Sequence, residues 1–353
     1  MKAGIITFHD ANNYGAVLQA YALNKKIGEY CSSEIINYHN EKFHKSHSTS
    51  GIKNKIINLI YRNAIKKKNK EFSEFRKNKL LIKGDIIRDE QLSQLNDIFD
   101  VFISGSDQVW NLKCSGNNDS YFLNFVNDTK KKNSYSASFG TREPKLDEMH
   151  IKYIKEFNHI SVRERSGKDY LSEININAVK TCDPVFLLDK GEWDKLAGDN
   201  SDRYILVYEV VNGVNMINFA KMLSKVQKLK VIVITSSYKP ILSVKTLRDI
   251  GPIKWLNLIK NAEYIITNSF HGLAFSLIFN KQFFVELLSN SDSNARMIEL
   301  LEDMNLSSRL ISDWQDIVKL DNIEFDNVNK KIKEVRKESI EYIGTIIRRK
   351  RKK

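Results

Sequence analysis

Short apolar runs alternate with amphipathic stretches along this chain, the rhythm of an α/β protein built on parallel sheets. Gly4–Phe8 predicts a first strand, and after the polar loop Asp10–Gly15 the run Ala16–Leu23 predicts a helix. A second strand is expected at Ser33–Tyr38. Residues 52–98 are charged and read as helical, with Ile56, Ile57, Leu59, Ile60, Phe72 and Phe75 giving one apolar face. Asp100–Ile103 predicts a buried strand, Asn133–Ser138 another, and Asp147–Phe157 a helix. His159–Val162 and Ala178–Cys182 read as short extended segments. The composition breaks near Asp183–Trp193, and the rhythm then restarts. Strands are expected at Tyr204–Tyr208, Lys230–Ile234, Tyr264–Thr267 and Phe283–Glu286, and helices at Asn215–Gln227, Trp255–Asn261 and Gly272–Phe279. The last fifty residues are helical and charged. No fixed-period repeat is present, which excludes a solenoid. Two successive α/β halves with a cleft between them are the simplest architecture.

The length of 353 residues suits two domains, and a hydrophobic fraction of 42% allows each a core. Three widely spaced cysteines, Cys31, Cys114 and Cys182, have no metal-ligand spacing and fit a reducing compartment without disulfides. The N-terminus turns polar at His9 and Asp10, too early for a signal peptide, and no window approaches a membrane span. The expected location is therefore cytoplasmic. The net charge is +13 with a pI near 9.3. Much of the excess lies in Lys53–Lys83 and in the tail Arg348–Lys353. Such runs suit nucleic acid, an anionic membrane face or an anionic substrate, or are merely a solvated helix face and a tail. The heavy use of lysine and asparagine also matches the codon bias of an AT-rich genome.

Four strand-end loops carry candidate chemistry, because ligands of open α/β sheets bind beyond the carboxyl ends of the strands. In Thr267-Asn268-Ser269-Phe270-His271-Gly272, His271 stands where a strand meets a helix N-terminus. Free N–H groups and the helix dipole there favour phosphate or carboxylate, and a histidine adds a proton or a hydrogen bond. The alternative is that Asn268 or Ser269 caps the helix and His271 packs. Thr7–Gly15 crowds polar side chains into a loop ending in glycine. It lacks the spacing of a dinucleotide fingerprint and the lysine of a phosphate loop. In Ser104–Asn111, Gly105 permits close backbone approach and Asp107 can bind a hydroxyl or act as a base. Trp110 either stacks on a sugar or is core. Ser161–Gly167 places Arg163 and Arg165 two residues apart on an extended segment, where both would point one way and fork onto a carboxylate or phosphate. An ion pair with Glu164 is the structural alternative.

Taken together, these segments resemble the polysaccharide pyruvyl transferases. The resemblance rests on Asn12-Asn13-Tyr14-Gly15 with Gln19-Ala20-Tyr21, Gly105–Asn111, Ser136–Gly140, Val162-Arg163-Glu164, Asp183–Leu188 and Asn268–Gly272, in that order across roughly residues 1–310. It implies an α/β fold of two Rossmann-like domains facing a cleft, glycosyltransferase-B-like, with a helical C-terminal segment. The expected divisions are an N-terminal acceptor domain at 1–188 with a helical basic insertion at 44–98, a C-terminal donor domain at 189–320, and a charged helix and basic tail at 321–353. The implied activity moves a pyruvyl group from phosphoenolpyruvate onto two hydroxyls of one sugar, closing a cyclic ketal on a cell-surface polysaccharide or its lipid-linked precursor.

On this resemblance, His271 and Asp107 are the expected catalytic residues. Arg163, Arg165, Asn268, Ser269, Gly272 and Arg296 are expected around the donor, and Asn12, Asn13, Tyr14, Gln108 and Trp110 around the acceptor. Phosphoenolpyruvate enters as co-substrate, and no metal or other cofactor is expected. The partners are that donor and a sugar or lipid-linked oligosaccharide, not nucleic acid, since no nucleic-acid module is present. The basic tail would bring the protein to the inner face of an anionic membrane. A glycosyltransferase using a nucleotide-sugar donor on the same architecture is the alternative, because fold alone does not fix chemistry.

Overall fold

The computed structural model describes residues 1–42, 60–82, 84–199, 202–211, 213, 215–237, 241–289, 291–292, 294–311 and 321–347. The chain divides into two compact units. Unit 1 comprises Met1–Thr49, Glu74–Leu188 and Lys333–Lys353, and unit 2 comprises Ser50–Ser73 and Asp189–Ile332.

Unit 1 begins with β1 (Lys2–Ile6), α1 (Tyr14–Gly28) and β2 (Ser32–Ile35). The Asn13 side chain accepts a hydrogen bond from the Ala16 N–H at the start of α1, and Lys25 and Lys26 suit the carbonyl end, so the helix outruns the expected Leu23. Helix α2 (Arg62–Phe75) follows in the chain and belongs to unit 2 as far as Ser73; unit 1 resumes with a π-helical turn at Arg76–Leu80 and 3₁₀ turns at Asp89–Asp97. The segment 52–98 is thus not one helical stretch; its part 52–59 and the lysines from Lys53 to Lys55 lie outside the described residues.

β3 (Val101–Ser104) and β4 (Lys132–Ser134) complete a four-stranded parallel sheet in the order β2-β1-β3-β4. The strand expected at Asn133–Ser138 is shorter because Ser136 turns left-handed, at φ 51°. Parallel bridges Asn133↔His159 and Ala137↔Val162 carry the sheet on to β5 (Ser161–Val162) and β6 (Val179–Lys180). Helices α3 (Glu148–Lys155) and α4 (Arg165–Glu173) lie between these strands in the chain. One core layer joins Phe102, Trp110, Phe122, Phe139, Phe157 and Val162.

Unit 2 holds α5 (Lys190–Ala197), β7 (Tyr204–Glu209), α6 (Met216–Gln227), β8 (Lys230–Thr235), β9 (Lys245–Leu247), α7 (Pro252–Asn261), β10 (Tyr264–Thr267), α8 (Phe270–Ile278), β11 (Gln282–Val285) and α9 (Asn294–Met304). Its parallel sheet runs β11-β10-β7-β8-β9. Read from the other edge this is third, second, first, fourth, fifth, and Leu310 bridges Val285 in the sixth place. That is the Rossmann order. Every residue of β7 is buried, as in a strand covered on both faces. Trp193 and Trp255 set their rings 4.9 and 5.4 Å from Phe275 of α8, both near perpendicular.

The last helix, α10 (Phe325–Ile347), is an integral layer rather than an appendage. Ile343, Ile346 and Ile347 join Ile5, Leu23 and Ile103 in one core. Arg336 donates to the Phe186 carbonyl at 2.6 Å, and Tyr342 to that of Ser134 at 2.9 Å. Among the described residues no helix is long and apolar enough to cross a membrane. The basic tail Arg348–Lys353 lies outside them.

Candidate active site

In an open parallel sheet, neighbouring strand ends spread apart where the chain reverses its direction of winding, and a crevice forms there. In unit 2 the reversal falls between β7 and β10. The loop leaving β10 is Asn268-Ser269, and α8 starts at once. Ser269 is the N-cap, with extended backbone and its hydroxyl accepting from the Gly272 N–H at 3.3 Å. Thr267 accepts from the Ser269 N–H at 3.1 Å and donates to the Tyr208 carbonyl at 2.8 Å, tying both strands to the cap. A Cβ on Gly272 would lie 2.3 Å from Thr267 Oγ1, so only glycine lets helix and strand meet this closely.

His271 occupies the first turn of α8 and is 7% exposed. Its ring stands edge-on to Phe270 at 5.2 Å, and the Arg296 guanidinium lies 5.5 Å over that same Phe270 ring. A helix N-terminus, an imidazole and a buried arginine are thereby gathered around one phenyl ring. Such an arrangement can hold an anion and pass it a proton. Asn268 turns the other way: its Oδ1 accepts from the Val210 N–H at 2.9 Å and its Nδ2 donates to the Val211 carbonyl at 2.6 Å. Its amide braces the β7 loop. Burial raises the Tyr208 phenol, partly offset by a hydrogen bond with Ser269, and keeps it protonated.

In unit 1 the reversal falls between β1 and β3. The loops leaving those strands are tied together, since Thr7 Oγ1 donates to the Ser106 carbonyl at 2.8 Å and receives Gln19 Nε2 at 2.9 Å. Asp107 is held at φ 71° and accepts from the Gln108 N–H at 2.9 Å. Behind it Arg163 is buried, with Nη1 at 2.6 Å from Asp183, Nε at 3.6 Å from Glu164 and Nη2 at 3.8 Å from Asp107. Burial opposes the guanidinium charge, but Asp183, Glu164 and Asp107 outweigh it and hold Arg163 protonated. Arg165 is exposed in the first turn of α4. The two arginines therefore do not point one way, because the chain leaves extended geometry at Glu164 and starts a helix.

The other residues expected around an acceptor divide. Asn12 and Asn13 are exposed, with Asn12 Oδ1 accepting from Arg76 at 3.1 Å and Asn13 capping α1. Tyr14 is buried at the start of α1. Gln108 Oε1 accepts from Asn111 at 2.8 Å. Trp110 is 1% exposed, stacked 5.8 Å from Phe122 with Nε1 donating to the Tyr121 carbonyl. It is core and offers no sugar platform.

Sequence reasoning gave no role to His9, Arg76 or Asp183, and offered Glu164 as an ion-pair partner of Arg163, which stands 3.6 Å from it. His9 is 1% exposed at the mouth of β1, with Nδ1 3.1 Å from the Thr7 carbonyl. Burial lowers its pKa, against smaller upward pulls from Asp10, Thr7 and Asn37. Its place straight after an apolar strand was the one available signal. Arg76, which also reaches the Asp10 and Ala11 carbonyls, sits in a charged run that does not distinguish it. Among the described residues no group of three His, Cys, Asp or Glu side chains could hold a metal ion.

A family model described as polysaccharide pyruvyl transferase matches residues 13–290, and the chain belongs to that family. No curated protein matches it. Among solved structures, the chain is similar to S. aureus MnaA in its UDP co-structure, with a TM-score of 0.51 and 13% identity over 97% of this chain and 90% of that one. It is also similar to Methanocaldococcus jannaschii UDP-GlcNAc 2-epimerase in complex with UDP-GlcNAc and UDP, with a TM-score of 0.50 and 12% identity over 95% and 99% of the two chains. At such identity the likeness is one of fold, glycosyltransferase-B-like α/β with a helical C-terminal segment.

Proposed function

We propose that this protein transfers the pyruvyl group of phosphoenolpyruvate to two hydroxyls of a sugar, closing a cyclic ketal on a cell-surface polysaccharide or its lipid-linked precursor. The observation that carries the reading is the start of α8, where Ser269, His271 and Arg296 surround a helix N-terminus at the switch point of unit 2. Phosphoenolpyruvate carries a carboxylate and a phosphate, and a guanidinium fork and free N–H groups suit both. Arg296 takes the place expected of Arg163, whose guanidinium is committed to Asp183.

The chemistry needs one proton at the methylene carbon, which becomes the ketal methyl and leaves the central carbon electrophilic. His271 delivers it. One sugar hydroxyl attacks that carbon, the carbon–oxygen bond to phosphate breaks, and the second hydroxyl closes the ring. Of the two hydroxyl protons lost, one replaces the proton given to the methylene carbon and the other leaves with phosphate. Asp107 orients an acceptor hydroxyl, and Arg163 is a positioning residue behind it. No metal enters this sequence.

The test is thermal stability with phosphoenolpyruvate set against UDP- and GDP-sugars, for wild type and His271→Ala, followed by phosphate release with candidate acceptors. A ligand that binds only the folded state raises the melting temperature by mass action. A shift with phosphoenolpyruvate alone, lost in the variant along with phosphate release, is expected. A shift only with a nucleotide sugar would overturn the donor, and turnover by folded His271→Ala would overturn the site.

A further inference from the structure

The first crossover helix of a Rossmann-ordered sheet is where such folds receive a phosphate, because its unsatisfied N–H groups open at the switch point. In unit 2 that helix is α6, and its N-terminus already carries an anion of the chain's own. Glu286 follows β11 directly and is 6% exposed. One carboxylate oxygen accepts from the Asn215 N–H at 2.9 Å, the other from the Met216 N–H at 3.1 Å. The chain closes tightly around it: a Cβ on Gly213 would stand 2.4 Å from Glu286 Oε2. α8 is capped instead by a neutral hydroxyl, that of Ser269.

We infer that Glu286 is a specificity determinant, an internal carboxylate that takes the phosphate position on α6 and so denies that terminus to a nucleoside diphosphate. Two phosphates brought there would meet a buried negative charge, on N–H groups and a helix dipole that are already satisfied. Exclusion of this kind works by repulsion rather than by better contacts to the chosen ligand. It deepens the donor assignment above, since α8 is left as the anion-binding terminus and suits a small phosphoenol donor.

The probes are UDP and inorganic pyrophosphate, titrated into the full-length chain by calorimetry and by thermal shift, with phosphoenolpyruvate in parallel. Wild type is expected to bind neither probe where phosphoenolpyruvate binds. Glu286→Gln keeps the size and one acceptor oxygen but removes the charge, and should bind both probes on the order of tenfold more tightly than wild type. Glu286→Ala should behave alike, whereas Glu286→Asp, still charged, should gain nothing. A cooperative melt establishes that each variant is folded. UDP binding by wild type with the carboxylate in place would overturn the inference without any variant. Folded Gln and Ala variants that bind UDP no better would overturn it as well. If phosphoenolpyruvate shifts no protein while UDP binding appears on Glu286→Gln, the donor reading fails and the exclusion by Glu286 stands.

Discussion

Replacing Arg163 by methionine should remove a keystone of unit 1. The guanidinium is 3% exposed, against 0% for Asp183, 2% for Glu164 and 12% for Asp107. At an effective dielectric constant of about 20, two unit charges 4 Å apart attract by about 4 kcal/mol. Burial costs several kcal/mol per ion, so the intact pair contributes far less than that figure. Deleting one partner is a different matter, because the desolvated charge it leaves has lost its counter-ion. Here three carboxylates would lose the guanidinium they share, and a loss of about 3–5 kcal/mol of unit 1 stability is expected. Domains are commonly stable by only about 5–15 kcal/mol, so unit 1 would become marginal.

Hydrogen exchange read peptide by peptide measures this, because β1, β3 and β4 should lose protection while β7, β8 and β10 keep theirs. Arg163→Lys keeps the charge but not the fork and should fall between. A loss below about 1 kcal/mol would match a solvated surface pair and refute the account of a desolvated cluster.

Other expectations are simpler. The pKa of His9 is lowered by burial from its ordinary 6.5, so the unfolded chain binds the proton first on acidification and wild type loses stability as pH falls below that value. His9→Gln should remove that part of the pH dependence, and urea midpoints that shift equally with pH in both proteins would show that the imidazole is solvated. Gly272→Ala should cost about 1–3 kcal/mol by forcing α8 away from Thr267, and should weaken phosphoenolpyruvate binding. Thr267→Ala in the same chain should return part of the loss, and strict additivity would mean the two side chains do not collide. Deleting Arg348–Lys353 should abolish salt-sensitive flotation with anionic vesicles, at about 1 kcal/mol per basic residue, whereas unchanged flotation would assign the charge to solvation alone.

The strand rhythm was legible because strands covered on both faces read as unbroken apolar runs, as Tyr204–Tyr208 does. His271 was legible for a related reason, since a strand, a serine and a helix start within a few residues place it at a strand mouth without any distant partner. What the motifs could not disclose was direction. Asn268 and His271 belong to one strand-to-helix motif, yet the Asn268 amide bonds backbone 57 and 58 residues away. Spacing suggests a fork of Arg163 and Arg165 or an ion pair with Glu164, yet the shortest partner of Arg163, Asp183, lies 20 residues on. Trp110 sits in a polar loop but serves the core. Each of these polar or aromatic side chains has the composition of a ligand-binding group, and only a long-range contact separates a brace from a contact residue. The same argument explains Glu286, which looks in the sequence like the polar end of a strand. Its carboxylate becomes informative once the fold brings the start of α6, 70 residues earlier, against it. Strand-end loops therefore identify where chemistry can occur, while the satisfied partners within them decide which residues remain to perform it.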